Sequence, residues 1–203
     1  AWALVSVVEA LAAAGQPEQA RRVAKQIQEV AETITDPRLR AWALASVVEP
    51  LAAAGQPEQA QEVAETITDP RLRAWALVSV VEARAAAGQS AQAQEVAETI
   101  TDPYSRAWAL VSVVEALAAA GQSAQAQEVA ETITDPGKRA SALVSVVEAL
   151  AAAGQPAQAQ EVAETITDPG KRASALASVV GALAAAGQPE QACRVAVQVQ
   201  EVA

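Results

Sequence analysis

Histidine, phenylalanine, methionine and asparagine are absent from this chain of 203 residues, and cysteine occurs once, as Cys193. Without histidine there is no Ser–His or Cys–His pair to activate a nucleophile and no imidazole to ligate a metal. A single cysteine makes neither an internal disulfide nor a thiolate cluster, so the fold must hold without covalent staples, and a reducing compartment suits it. Long uncharged apolar runs are missing too: a Glu or a Gly-Gln turn interrupts each one well before the ~18 residues that a membrane-spanning helix needs. Basic residues number 14 against 24 acidic ones, and the resulting formal charge of −10 opposes attraction to phosphate backbones or anionic membrane surfaces. These absences point to a non-enzymatic, cytoplasmic protein with no cofactor, no metal, no nucleic-acid partner and no membrane partner. The chain starts at Ala1 with no Met and no cleavable leader, which reads as a fragment or a processed piece.

What the chain does have is alanine, throughout, within a hydrophobic content of 52%. Alanine gives up no side-chain entropy on ordering and sets no bulk against the preceding turn, so an all-α fold is expected. Self-similarity then fixes the architecture. Trp42, Trp75 and Trp108 recur every 33 residues, and Gly55, Gly88, Gly121, Gly154 and Gly187 keep the same step. Within one period Asp69-Pro70 offers a capping carboxylate followed by a ring suited to the first helical position, and Gly88 marks the end of the helix so begun. Gln56-Pro57, or Ser90 and Ser123 in other repeats, opens a shorter second helix.

The expected fold is therefore an α-solenoid of six helix-turn-helix repeats, about twelve antiparallel helices in a single array over 1–203. Its units are about 1–35, 36–68, 69–101, 102–134, 135–167 and 168–203. First helices are expected over about 1–14, 37–54, 70–87, 103–120, 136–153 and 169–186, and second helices over about 17–34, 57–67, 90–100, 123–133, 156–166 and 189–203.

Leu44, Val47, Val48 and Leu51 on a first helix, and Ala60, Val63, Ala64 and Ile67 on a second, fall at i, i+3, i+4 and i+7 and form the expected core. Four or five aliphatics worth roughly 1.5–3 kcal/mol each do not offset the ordering of one period at roughly 1–2 kcal/mol per residue, so stability must come from stacking on neighbours. The first repeat is longer, because residues 21–27 add about two helical turns and return the apolar face to nearly its starting direction. Residues 189–196 echo 17–24, so the chain looks cut from a higher-order repeat.

Two substitutions break the pattern. Pro50 stands inside a first helix, where it removes a hydrogen bond and should bend the chain around residues 46–50. Arg84 takes the core position of Leu51 and Leu117, so its stem must snorkel or find a carboxylate. Arg40, Arg73, Arg106, Arg139 and Arg172 recur near first-helix N-termini, where the dipole disfavours them and acidic side chains should compensate.

The run from Ala52 through Gly55 to Ala60, with an Asp-Pro closing each repeat, resembles the Gly-to-Ala turn and terminal Pro of tetratricopeptide repeats. The likeness covers essentially the whole chain. It departs from the family in its shorter period, in Leu44 and Leu51 at positions that are aromatic there, and in the place of the Asp-Pro. Ala-rich, Asp-Pro-punctuated arrays in multidomain proteins of high-GC bacteria are the nearest likeness, although copies this alike also suit a designed consensus protein with no natural ligand. The resemblance implies a scaffold that binds a protein or peptide in a groove lined by first helices, at Trp42, Ala45, Glu49, Ala52, Ala53 and their equivalents. Helical geometry groups Trp42, Ser46, Glu49 and Ala53 independently, opposite Leu44, Val48 and Leu51.

The candidate partner-binding residues are thus a row of Trp2, Trp42, Trp75 and Trp108, giving way to Ser141 and Ser174, above a row of Glu9, Glu49, Glu82, Glu115 and Glu148, ending in Gly181. Such a surface suits a partner segment with basic and apolar side chains. Two bland readings stand beside it: the tryptophans pack between first helices, and the glutamates merely solvate a helix face. An assembly module that forms a homo-oligomer through uncapped ends is the alternative function, since neither end shows a polar capping helix and Val197 replaces the equivalent Lys25. The serines at Ser46, Ser79 and Ser112 are mid-helix packing residues, and Pro136-Gly137-Lys138-Arg139 lacks the spacing of a phosphate loop.

Overall fold

The computed structural model describes residues 16–202 together with positions 7, 10 and 14. The expected first helix over about 1–14, and with it Trp2 and Glu9, lies outside the described residues. The described helices are α1 (Pro17–Glu32), α2 (Pro37–Ala53), α3 (Pro57–Thr66), α4 (Pro70–Ala86), α5 (Ser90–Thr99), α6 (Pro103–Ala119), α7 (Ser123–Thr132), α8 (Pro136–Ala152), α9 (Pro156–Thr165), α10 (Pro169–Ala185) and α11 (Pro189–Val202), with no strand among the described residues. Even-numbered helices are the first members of hairpins and odd-numbered ones the second.

Helix ends follow from local chemistry. At each first-helix start the Asp side chain accepts from backbone N–H groups of the first turn, as Asp36 does from Arg38 at 2.8 Å and Leu39 at 3.2 Å, and Asp69 from Arg71 and Leu72 at 3.0 Å each. The residue before a proline is confined to extended backbone, and Asp69 duly has φ −74° and ψ 119°. At the other end Gly121 adopts φ +74°, which lets its N–H reach Ala118 O and the N–H of Gln122 reach Leu117 O at 2.9 Å, satisfying two otherwise orphaned carbonyls. Second helices start without a side-chain cap: Gln56, Gln89, Gln122 and Gln155 precede them and make no capping bond. Their exposed faces are braced by Gln-to-Glu bonds one turn apart, such as Gln61 to Glu65 at 2.9 Å and Gln127 to Glu131 at 3.2 Å.

The chain forms two compact units, residues 1–109 and 110–203, with the division inside α6. In the first, α2 packs against α1, α3 and α4, and α4 packs against α3 and α5. Its core is the expected double stripe: Val47, Val48, Ala60, Ala64 and Ile67 are wholly buried, as are Val80, Val81, Ala93 and Ala97 one repeat later. In the second, α8 packs against α7, α9 and α10, and α10 against α9 and α11, around Val146, Val147, Ala159, Ala163, Ile166, Leu176 and Val179. Each hairpin thus buries its apolar stripes on its neighbours as well as on itself.

At Pro50 the helix α2 runs unbroken to Ala53, with the ring buried. The ring deprives the Ser46 carbonyl of its N–H donor, and the Ser46 hydroxyl donates to Ala43 O at 2.8 Å. For the first-helix arginines the compensation differs from the expectation: Arg40 Nε donates to the Ile34 carbonyl at 3.0 Å, a backbone acceptor in the preceding linker.

Candidate functional site

Helix geometry decides which side of a first helix faces solvent. On α2 the positions i, i+7 and i+11 are Trp42, Glu49 and Ala53, and all three are exposed; so are Trp75, Glu82 and Ala86 on α4. Trp42 retains 38%, Trp75 48% and Trp108 42% of its accessible surface, so each ring is partly covered and partly open to solvent. The remaining positions expected in a groove behave otherwise. Ala45 and Ala52 are buried, because α4 packs along that side of α2. The solvent-facing surface of α2 and α4 is therefore a narrow ridge of Trp, Glu and Ala.

The first compact unit carries further exposed apolar side chains in the same place. Leu39, one turn before Trp42, is 61% exposed, and Tyr104, one turn before Trp108, is 62% exposed. The Tyr104 and Trp108 rings meet edge to face, with centroids 6.4 Å apart and planes at 77°. Neither Leu39 nor Tyr104 is among the candidate partner-binding residues expected from sequence, although their spacing of three and four residues from a ridge tryptophan places them on the same helix face. In the second unit the ridge is polar or small: Ser141 is half-buried, Ser174 and Gly181 are exposed, and Glu115 and Glu148 remain exposed. One acidic group near this surface is perturbed. Asp102, which caps α6, is held below its ordinary pKa of 3.8 by hydrogen bonds from the Ser105 side chain and backbone, with a smaller contribution from the Arg71 charge.

On the second-helix side, clefts recur between successive hairpins. One of about 400 Å³ lies over Leu51 and is rimmed by Arg21, Arg22 and Lys25 of α1 and Glu62 of α3. Another of about 450 Å³ lies over Arg84, and a third of about 380 Å³ over Leu150. Arg84 is 6% exposed and resolves its burial through oxygens from two flanking helices. Its Nη1 donates to Gln92 Oε1 at 3.0 Å and to Gln89 Oε1 at 3.3 Å, and stands 3.4 Å from Glu58 Oε1, while Nη2 donates to Gln61 Oε1 at 3.2 Å. Its Nε–H is buried without an acceptor. The expected carboxylate is thus present, but uncharged amides carry most of the load. Among the described residues no group of three or more His, Cys, Asp or Glu side chains is placed to hold a metal ion, and no helix is long and apolar enough to cross a membrane.

The tetratricopeptide repeat family matches residues 1–26, 107–132 and 140–165. The last two matches each run from the residue before the ridge position to the end of the second helix, which is one hairpin. No curated protein matches the sequence. Among solved structures, a kinesin light chain of Podosopora anserina with nearly identical TPR-like repeats is 19% identical, with 98% of this chain and 93% of that one covered and a TM-score of 0.38. Repeats of this family serve protein interaction or scaffolding, typically bind proteins or peptides, and are generally non-catalytic. Each compact unit is built of stacked helical hairpins, and the matched stretches resemble tetratricopeptide repeats.

Proposed function

We propose that this protein is a non-catalytic scaffold whose first-helix ridge, in the first compact unit, seats a protein or peptide segment bearing apolar and basic side chains. The observation that carries this is the exposure of Trp42, Trp75 and Trp108 at corresponding positions of successive first helices, with Leu39 and Tyr104 exposed one turn before two of them and Glu49 and Glu82 two turns beyond the tryptophans on α2 and α4. Large exposed apolar groups gathered on one face mark interaction surfaces, and rigid aromatic rings give contact area at little cost in rotamer entropy. The glutamates, about 10 Å along the helix from the rings, favour a cationic side chain and disfavour an acidic competitor. A cytoplasmic location accords with a single exposed cysteine, Cys193, that has no internal partner.

The test is selection of binders from a random peptide library on the full chain. Enriched peptides should combine Leu, Phe or Trp with Lys or Arg, should shift tryptophan fluorescence on titration, and should lose most of their affinity when Glu49 and Glu82 are both changed to Lys. Peptides that bind a Trp42→Ser, Trp75→Ser, Trp108→Ser variant as tightly as the parent would defeat the proposal.

A further inference from the structure

Four of the second helices, α3, α5, α7 and α9, carry the same Gln-to-Glu bond one turn apart: Gln61 to Glu65 at 2.9 Å, Gln94 to Glu98 at 3.0 Å, Gln127 to Glu131 at 3.2 Å and Gln160 to Glu164 at 2.9 Å. Aligned on the prolines that open them, α1 has Arg21, Arg22 and Lys25 where α3 has Gln61, Glu62 and Glu65. Two of these three exchanges reverse the charge. Where the other helices gain a stabilising bond, α1 sets the like charges of Arg21 and Lys25 one turn apart, which works against the helix. All three cations are exposed, and none of them pairs with a carboxylate among the described residues.

The three cations also share a cavity. Arg21, Arg22 and Lys25 line the cleft of about 400 Å³ between α1 and α3, where Leu51 and Val63 supply aliphatic surface and Glu62 is the one carboxylate among the described lining residues. Its counterparts are different in charge. The cleft over Leu150 has Glu161 and no cation, and the one over Arg84 sets Glu58 and Glu95 against a single buried guanidinium. Of these three clefts, therefore, one carries an excess of positive charge, in a chain whose formal charge is −10. Both its walls belong to the first compact unit, and its size takes a few side chains of a bound segment.

We infer that the cleft between α1 and α3 docks an acidic peptide segment of a partner protein, with its carboxylates on Arg21, Arg22 and Lys25. Guanidinium groups meet a carboxylate through two parallel hydrogen bonds, and the apolar stems of all three side chains extend the aliphatic surface of Leu51 and Val63. The segment that fits best has carboxylates flanking an aliphatic side chain. It is opposite in charge to the occupant of the ridge and lies on second helices instead of first. The ridge is judged on basic peptides and this cleft on an acidic one, so the two readings fail separately.

The experiment is fluorescence anisotropy of a short fluorescein-labelled peptide of Glu, Asp and Leu, titrated with the full chain. Binding should saturate, weaken as salt rises, and fall at least about tenfold when Arg21→Gln, Arg22→Glu and Lys25→Glu are combined. These substitutions install what α3 already carries at the same positions, so helical circular dichroism should be retained. Arg194→Glu, at the exposed position of α11 equivalent to Arg22, should change the affinity by less than about twofold. The variant with Trp42, Trp75 and Trp108 changed to Ser should bind the acidic peptide like the parent. Absence of saturable binding overturns the inference, as does equal weakening by Arg194→Glu, which would trace the effect to net charge. An oligonucleotide of the same charge that binds more tightly than the peptide would make the cleft a phosphate site and overturn it too. So would a mass in sedimentation velocity that rises with concentration in the parent but not in the triple α1 variant, because the occupant would then be a second copy.

Discussion

Arg84→Leu should make the protein more stable, although it deletes an ion pair and three hydrogen bonds. Arg84 is 6% exposed, and the acceptors that surround it, Gln61, Gln89, Gln92 and Glu58, all retain access to water, Glu58 with 62% of its side-chain surface. Losing the guanidinium therefore strands none of them. The arginine, by contrast, keeps an Nε–H buried with no acceptor, worth about 1–3 kcal/mol against the fold. Leucine already fits the equivalent place at Leu51, Leu117 and Leu150, each no more than 4% exposed, and replacing a buried ionic group by a well-packed apolar one is worth about 1–4 kcal/mol in favourable cases. A net gain of about 1–3 kcal/mol is expected. Arg84→Ala should lose about 1–3 kcal/mol instead, because the stem's packing goes and a void replaces it. Urea titration followed by far-ultraviolet circular dichroism gives the ranking, with the midpoint moving and the slope unchanged. If the parent proves more stable than the leucine variant by over about 1 kcal/mol, the amide cradle is net stabilising and the reasoning fails.

Changing Trp42, Trp75 and Trp108 to Ser should cost no more than about 1–2 kcal/mol apiece, against about 3–5 for a buried ring, and should leave the helical signal intact; a collapse on melting would return the tryptophans to the core. Gly121→Ala, at φ +74° with open space around the missing Cβ, should cost about 1–2 kcal/mol purely through backbone strain, and a neutral result in urea titration would count against the left-handed turn. Because the Asp102 pKa is depressed in the folded chain, its contribution is present above pH ~3.8 and fades as pH falls through the lower folded value. Ser105→Ala should move that pKa back towards 3.8 in a carboxylate NMR titration, and an unchanged value would contradict the assigned cause.

The helix boundaries were readable from sequence because their causes are local. An Asp-Pro pair caps the turn that follows it, and a glycine at positive φ closes the turn before it, so the observed first helices end one residue short of the expected limits. The surroundings of Arg84 were not readable in the same way: Gln61 lies 23 residues away and becomes a neighbour only when α3 packs against α4. The same holds for the ridge. Periodicity put Trp42, Glu49 and Ala53 on one side of a helix, but only the packing of α4 on α2 showed that Ala45 and Ala52 are buried while the rings stay partly open to solvent. The expectation of acidic partners for the N-terminal arginines failed at Arg40 because a linker carbonyl, which carries no signature in the sequence, stands nearer.

The distribution of aromatic residues has a practical consequence for experiments on the intact chain. Trp2, Trp42, Trp75, Tyr104 and Trp108 all fall within residues 1–109, and none within 110–203. Near-ultraviolet absorbance and emission are consequently blind to one half of the molecule, whereas amide signals sample both. Denaturation curves recorded by the two kinds of light superimpose if the halves melt together and separate if they do not, which gives an unlabelled, built-in readout of cooperativity across the division in α6.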